Sequence, residues 1–184
     1  NTVYNTSPIP IGFNYHVIDI NGDGSDELVV VRDGAIHIYK FNQTFYTLVQ
    51  SAIISSPSIV WTNGKKTPVH IGDFNGDGKT DFVVPTNIGS YDWVFFIDKG
   101  NGQYKQFVKN IGVKYTVHAE QDIYSNGFYK YTQTQDCNVI FQDINNDGKT
   151  DVIQTYQNYR DYDGKGTSDH ETLIGFFDNL QFDA

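Results

Sequence analysis

Short apolar segments rich in β-branched and aromatic residues alternate with polar turns along most of this chain. Segments 28–32 and 35–41 are typical, because Ile36 and Ile38 alternate with more polar neighbours and the pair Asp33-Gly34 separates the two segments. An Asp-Gly pair in this setting is a strong signal for a tight antiparallel hairpin. The segments flanking the acidic turns show no 3.6-residue apolar period. The pattern therefore predicts an all-β fold.

Three groups of such segments follow one another, and each is predicted to form a four-stranded unit. The three units span about 14–55, 69–117 and 138–184 within a single region, 1–184. Predicted strands are 15–19, 28–32, 35–41 and 45–54, then 69–74, 82–86, 93–98 and 104–109, then 139–144, 152–159 and 172–177, with a last strand near Gln181. A tyrosine-rich stretch, 112–136, and a polar stretch, 160–170, are interpreted as an insertion and a hairpin loop.

One nine-residue pattern, Asp-x-Asn-x-Asp-Gly-x-x-acid, occurs once in each unit. The copies start at Asp19, Asp73 and Asp143, each between two apolar segments, so the starts are 54 and 70 residues apart. One copy could arise by chance, but three copies at the same place in successive units indicate a repeated structural element.

The spacing of the acidic and amide side chains in these loops is typical of a calcium site. Hard cations take six to eight oxygen ligands, and positions 1, 3, 5 and 9 supply side-chain oxygens while position 7 supplies a carbonyl. The predicted ligands are Asp19, Asn21, Asp23, Ser25 and Glu27 in loop one, Asp73, Asn75, Asp77, Lys79 and Asp81 in loop two, and Asp143, Asn145, Asp147, Lys149 and Asp151 in loop three. The glycine at position 6 allows the sharp turn. About three Ca²⁺ ions are therefore predicted, and the alternative is that the loops are polar turns alone.

These loops are not EF-hands. The first half of the pattern is shared with the EF-hand loop, but position 12 holds Val30, Val84 and Gln154 instead of glutamate. The chain instead resembles the FG-GAP/VCBS repeat family, whose calcium loops occur in the β-propeller of integrin α subunits and in many bacterial secreted proteins. The resemblance implies four-stranded propeller blades with the loop between their first two strands.

The second repeat carries a narrower resemblance. Segment 71–85, followed by 93–97 and by Gly100-Asn101-Gly102, looks like the propeller region of large bacterial Rhs/YD-repeat proteins and Tc-toxin B components. That resemblance implies a docking or gating element of a large secreted protein. Closed propellers typically have four or more blades. Three units therefore favour part of a larger propeller, with association of copies or completion of the last blade by the N-terminal segment as alternatives.

Composition and charge exclude several functions. The formal net charge is −9, and ten of the 22 acidic residues lie in the three loops, so the acidity is explained by metal sites. No basic stripe is present to neutralise phosphates, which excludes nucleic acid as a partner. No apolar run is long enough for a membrane span. Cys137 is the only cysteine and is predicted to be an inert core thiol. The lack of methionine favours a mature product or an excised piece.

No catalytic motif stands out, and the protein is not expected to be an enzyme. The five histidines are scattered, and those at 16 and 70 are interpreted as strand packing. The leading hypothesis is a calcium-stabilised scaffold or docking region of a secreted or cell-surface protein, because weak calcium sites fill only outside the cytosol. The alternative is a module recognising carbohydrate or protein through Trp61, Tyr91, Trp93 and the tyrosine-rich stretch. A polysaccharide lyase fragment is a remote alternative.

Overall fold

The computed structural model describes residues 11–44, 47–62, 65–115, 119–125, 128–162, 165–175 and Phe182. Side chains are described for 11–44, 47–60, 66–115, 122–124, 138–155, Gly166 and Phe182. These residues form three four-stranded antiparallel sheets and one two-stranded hairpin, so the predicted all-β class is confirmed. Over this part of the chain, no helix is both long and apolar enough to cross a membrane.

The strands are numbered in chain order. Sheet one contains β1 (Asn14–Ile18), β2 (Glu27–Arg32), β3 (Ala35–Asn42) and β4 (Thr47–Ser55). A short hairpin contains β5 (Trp61–Thr62) and β6 (Lys65–Lys66). Sheet two contains β7 (His70–Gly72), β8 (Asp81–Pro85), β9 (Asp92–Asp98) and β10 (Tyr104–Asn110). Sheet three contains β11 (Ala119–Ser125), β12 (Phe128–Gln142), β13 (Asp151–Tyr162) and β14 (Lys165–Gly175).

Sheets one and two have the predicted organisation. Each is a meander of neighbouring strands in chain order, and the strand before the acidic loop lies at an edge. Alternation explains which side chains are buried. Val29 and Ile38 of sheet one face the core, whereas Tyr15, on the opposite face, is half exposed. β8 is buried at every position because both faces of sheet two are covered, which is why its sequence is continuously apolar after Asp81.

Sheet three differs from the prediction. The strand before loop three starts at Phe128 and not near residue 139, and β11 pairs with its first half, 128–135, so that only the part next to the loop lies at an edge. Most of the tyrosine-rich stretch therefore forms β11 and the first half of β12. The polar stretch 160–170 likewise belongs mainly to β13 and β14. The predicted last strand near Gln181 and the first ten residues lie outside the described part of the chain.

The sequence signals in sheet three are weak for a physical reason. β12 begins Phe-Tyr-Lys-Tyr-Thr-Gln-Thr-Gln, where Thr and Tyr favour strands but no apolar alternation marks a buried face. Two short-range signals were available. Asn126-Gly127 stands between β11 and β12, and Asp163-Gly164 stands between β13 and β14, and both pairs are typical of two-residue hairpins.

The sheets pack face to face around two apolar cores. The first core, between sheets one and two, is mainly aliphatic and contains Val29, Ile36, Ile38, Ile54, Val84 and Phe96 among others. The second, between sheets two and three, is mainly aromatic and contains Phe74, Trp93, Phe95, Val152 and Phe182 among others. Sheet two therefore contributes alternate side chains to both cores. This stacking brings the three acidic loops next to one another.

Candidate metal sites

Each acidic loop connects two strands that pair directly with each other. Loop one joins β1 to β2, loop two joins β7 to β8, and loop three joins β12 to β13. The strand registers close each loop at the same point, with Ile18 opposite Glu27, Gly72 opposite Asp81 and Gln142 opposite Asp151. The acid at position 9 therefore always stands at the neck of the loop. The prediction that these loops lie between strands, and not between helices, is confirmed.

The carboxylate at position 1 organises the loop backbone. In loop one, Asp19 Oδ1 accepts hydrogen bonds from the amides of Gly22 at 2.8 Å and Asp23 at 3.1 Å, while Oδ2 accepts one from Gly24 at 2.7 Å. Asp73 makes the same three bonds in loop two, at 2.7, 3.1 and 2.7 Å. In loop three, Asp143 Oδ2 accepts from Gly148 at 3.0 Å. Charge-assisted bonds of this kind are stronger than neutral ones.

Positions 3 and 5 continue the pattern. Asn21 Oδ1 accepts from the amide at position 5 at 2.9 Å, and Asp23 Oδ1 accepts from the amide of Ser25 at 2.9 Å. The equivalent bonds of Asn75 and Asp77 are 3.1 and 3.0 Å, and those of Asn145 and Asp147 are 2.9 and 2.8 Å. Successive side chains thus cap successive amides along one side of each loop, as in Asx-turns.

The acid at position 9 is buried in every loop. Glu27 is 2% exposed, and Asp81 and Asp151 are 0% exposed. Each accepts a hydrogen bond from the amide at position 2, namely Ile20 at 3.0 Å, Phe74 at 3.0 Å and Ile144 at 3.1 Å. Asp81 accepts a second hydrogen bond, from the amide of Asp98 at 2.8 Å, and Glu27 lies 3.5 Å from the Lys40 ammonium.

Two backbone positions in each loop have the left-handed conformation. At position 6, φ is 84° for Gly24, 79° for Gly78 and 86° for Gly148, as the sequence predicted. At position 4, φ is also positive, at 72° and 77° for Gly22 and Gly76 and 59° for Asn146. The left-handed conformation at position 4 was not predicted. The signal was present, because glycine and asparagine are the residues that tolerate this conformation best.

The buried carboxylate of loop two, Asp81, has a shifted pKa. Burial raises the pKa of Asp81 to about 7, the amides of Asp98 and Phe74 act in the opposite direction, and the charges of Asp77 and Asp73 raise the pKa further. Asp98 donates its amide to Asp81 Oδ1 at 2.8 Å. In exposed Asp23 the hydrogen bond from the Ser25 amide is the main reason that the pKa is lowered. A cation beside the buried carboxylate would favour its charged form.

The donor set fits a hard cation. All the predicted side-chain ligands are carboxylate or amide oxygens, which calcium prefers. Asp143 Oδ1 is buried and has no hydrogen-bond partner among the described residues, so one acceptor of loop three is left for a further ligand. Among the described residues, no three His, Cys, Asp or Glu side chains are close enough together to hold one metal ion. The carboxylates of the loops instead accept hydrogen bonds from loop amides. The fifteen ligand assignments therefore stay a prediction.

Two lysines contact the predicted ligands. Lys40 on β3 places its Nζ 3.6 Å from Asp23 Oδ2 and 3.5 Å from Glu27 Oε1. Lys79 Nζ lies 3.2 Å from Asp77 Oδ2. The ammonium groups neutralise part of the loop charge. The role of Lys40 was not predicted, because its contact with loop one depends on the pairing of β3 with β2.

Neighbouring loops also contact each other through position 8. The Thr80 amide donates to the Ile20 carbonyl at 3.2 Å, joining loop two to loop one. The Thr150 amide donates to the Asp73 carbonyl at 2.7 Å, and the Asp73 amide donates to Thr150 Oγ1 at 2.9 Å. The sequence signal was the Lys-Thr pair at positions 7 and 8 of loops two and three.

Among the aromatic residues suggested for recognition, Trp93 belongs to the core. It is 0% exposed and its indole N–H donates to the Val113 carbonyl at 2.9 Å, so it cannot contact a partner. Tyr91 is 49% exposed and Tyr124 is 61% exposed, and both can do so. The side chain of Trp61 lies outside the described residues.

A cavity of about 420 Å³ with a mixed polar and apolar lining lies between sheets one and two beside loop one. Its lining includes buried Glu27 and Asp98, the ammonium-bearing side chains of Lys40 and Lys79, and Tyr104. The Tyr104 hydroxyl is buried without a hydrogen-bond partner in the described part of the chain. The cavity wall therefore contains charged groups together with a hydroxyl that could hydrogen-bond to a ligand.

Comparison with known proteins identifies the repeat. Residues 19–84 match the sequence model of the FG-GAP-like repeat, which confirms the family resemblance for that segment, containing loops one and two. No curated protein matches the chain. A solved lectin structure from Agrocybe aegerita, described as the structural basis of specific recognition of non-reducing terminal N-acetylglucosamine, is 18% identical, with 89% of this chain and 52% of that chain covered and a TM-score of 0.41. The chain thus spans about half the length of that lectin, and the likeness is too distant to carry an argument.

Proposed function

We propose that this chain is a calcium-binding module of propeller-type blades, which serves as a scaffold or docking region of a larger secreted or cell-surface protein. One observation carries the proposal. Three loops at equivalent places in three sheets share one arrangement, in which the position-9 carboxylate is buried and accepts the backbone amide hydrogen of position 2. Burying an acid three times is costly unless a cation compensates it.

The predicted ligands at positions 1, 3, 5, 7 and 9 of each loop would hold the ions. A bound Ca²⁺ supplies positive charge beside these acids and so favours their ionised forms. The chain's own residues do the rest. The position-1 carboxylates Asp19 and Asp73 shape the loops through three backbone bonds each, and the glycines at position 6 permit the turn.

A propeller with more than three blades is supported by the outer face of sheet one. Tyr15, Val17 and Ile53 lie on the face opposite the first core and are 52%, 69% and 50% exposed. Exposed apolar side chains grouped on one sheet face are typical of an interaction surface. A neighbouring blade would cover them as sheet two covers the other face. The Rhs/YD-repeat or Tc-toxin B origin is part of this proposal.

Thermal and chemical unfolding in chelator, in millimolar calcium and in millimolar magnesium tests the calcium proposal. A site with a Kd near 10⁻⁴ M adds roughly 1.4 kcal/mol at millimolar calcium, so three sites together add about 4 kcal/mol. We expect a calcium-specific increase in the free energy of unfolding of that order. Equal stability in calcium and in chelator would contradict the proposal.

Single-loop variants locate the effect. Asp77→Ala and Asp147→Ala should each remove about one third of the calcium-dependent stabilisation, since each deletes a ligand from one loop. Asp92→Ala, an exposed acid on β9 outside the loops, is the matched control and should retain the full calcium effect. A calcium response that is the same in all three variants would show that the loops are turns only.

A second candidate function, binding of a small polar ligand such as a saccharide, is favoured by the cavity between sheets one and two. Its buried, unpartnered Tyr104 hydroxyl and its charged lining are the kind of convergent polar groups that ligand pockets use. Glycan-array binding that Tyr104→Phe abolishes, and that Tyr91→Phe outside the cavity retains, would support it. An array without binding would leave the scaffold as the better explanation.

A further inference from the structure

Two histidines occupy the same place in consecutive repeats. His16 on β1 and His70 on β7 each lie three residues before the first aspartate of their loop, and the third repeat has Ile140 there. Strand register shows which way each side chain faces. His16 is opposite Val29, a member of the first core, and His70 is opposite Val83, a member of the second core. Both imidazoles therefore face the sheet that follows in the chain.

The two imidazoles line one cavity. Its volume is about 300 Å³, and the other lining residues are all aliphatic or aromatic, among them Val69, Val139 and Phe141. His70 packs against Phe141 with ring centroids 4.7 Å apart and lies 6.0 Å from the Trp93 ring. The lining thus contains two polar side chains in an otherwise apolar wall.

Neither imidazole uses its Nε2 atom within the described part of the chain. The Nε2 atoms of His16 and His70 are both buried without a hydrogen-bond partner there. Burying an unsatisfied polar nitrogen is unfavourable, and native proteins contain only a few such groups. Two such nitrogen atoms line the same cavity and come from equivalent positions in consecutive repeats. This arrangement favours a ligand that both atoms bind.

The protonation state suits a metal ligand. Burial lowers the pKa of His70 to about 4, and the charge of nearby His16 lowers it further. Burial also lowers the pKa of His16. Both rings are therefore neutral at pH 7, and a neutral imidazole is the commonest protein ligand for transition metals. Calcium prefers oxygen, whereas Zn²⁺, Ni²⁺ and Cu²⁺ accept imidazole nitrogen.

We propose that His16 and His70 bind a divalent transition-metal cation through their Nε2 atoms, at a site separate from the acidic loops. Two protein ligands leave coordination positions open, and the cavity is large enough for water to fill them. The site would join β1 of sheet one to β7 of sheet two. The proposal does not depend on calcium binding by the loops.

Calorimetric titration of the whole chain with ZnCl₂, in millimolar calcium to occupy carboxylate sites, tests the proposal. We expect one equivalent of zinc to bind, and His16→Gln and His70→Gln each to weaken that binding at least tenfold. His37→Gln is the matched control, because His37 faces the opposite side of sheet one and contacts Gln50 at 3.1 Å. This variant should bind zinc like the parent.

Tryptophan fluorescence gives a second readout. Ni²⁺ bound at His70 would lie close to Trp93 and quench its emission, and His70→Gln should remove that quenching. Circular dichroism checks folding, and if His70→Gln is unfolded, the zinc affinity of His16→Gln decides between the outcomes. Absence of zinc binding, or binding of equal strength in the parent and a folded glutamine variant, would overturn the proposal.

Discussion

The junction between sheets one and two differs from the junction between sheets two and three, although both connect successive copies of the same repeat. At the first junction the core is mainly aliphatic, a cavity of about 420 Å³ remains, and the Thr80 amide contacts the Ile20 carbonyl at 3.2 Å. At the second junction the core is mainly aromatic, and Trp93 and Phe141 lie with ring centroids 5.4 Å apart.

The second junction also has the closer loop contact. Thr150 makes two bonds to Asp73, at 2.7 and 2.9 Å. A Cβ on Gly72 would lie 2.5 Å from Thr150 Oγ1 and 2.8 Å from its Cβ, so only glycine permits this approach. The corresponding residue before loop one is Ile18, which packs against the first core.

The difference shows that the loop motif and the junction are separate features. The bonds accepted at positions 3, 5 and 9, and the bond from the position-6 amide to position 1, recur in all three loops, so the nine-residue pattern determines each turn. How tightly one loop contacts the next depends on residues at position 8 and immediately before position 1. Repeats with identical loops can therefore have unequal interfaces. Three substitutions test this comparison, in order of decreasing expected effect.

Gly72→Ala should have the largest effect. The added methyl must displace the Thr150 side chain, and overpacking of this kind costs about 1–3 kcal/mol in the free energy of unfolding. The control is Gln142→Ala, the corresponding exposed position of the third repeat, where we expect a change within about 0.5 kcal/mol. Denaturant unfolding measures both. If Gly72→Ala were as stable as the parent, the second junction would not be sterically constrained.

Thr150→Val should have an intermediate effect. It leaves the Asp73 amide without its hydroxyl acceptor, which costs about 1 kcal/mol for a partly buried bond. Thr80→Val at the first junction is the matched substitution, because Thr80 contacts Ile20 through the backbone amide, which valine retains. We expect unfolding midpoints to fall for Thr150→Val only. Equal losses would mean that the two junctions are equally dependent on the threonine hydroxyl.

Lys40→Met should have the smallest effect, on calcium affinity. The Lys40 ammonium lies within 3.6 Å of two predicted ligands of loop one, and the lysine itself is half exposed. Its loss should strengthen calcium binding there two- to fivefold, about 0.4–1 kcal/mol. Lys105→Met on β10 is the control for a general change of charge. Calorimetric titration with calcium compares them, and unchanged affinity in Lys40→Met would show that the ion pair does not compete with calcium.

Strands with apolar alternation were predictable and strands without it were not. Segment 35–41 alternates around Ile36 and Ile38, and its strand appears at Ala35–Asn42. β11 and the first part of β12 carry threonine, tyrosine and glutamine with no apolar face. No alternation of apolar and polar residues therefore indicated strands, and the stretch is interpreted as an insertion from its sequence. The Asn-Gly and Asp-Gly pairs between these strands indicate tight turns, but such a pair does not determine how long the flanking strands are.

The sequence by itself determined the all-β class, the three loops and the residues that form each turn. These features depend on contacts within nine residues, where φ preferences and side-chain caps act locally. Only the tertiary structure decided which groups from different repeats meet. The contact of Thr150 with Asp73, the ion pair of Lys40 with loop one and the shared cavity of His16 and His70 all arise from sheet packing. Packing depends on many side chains distant in sequence, and no short pattern encodes it.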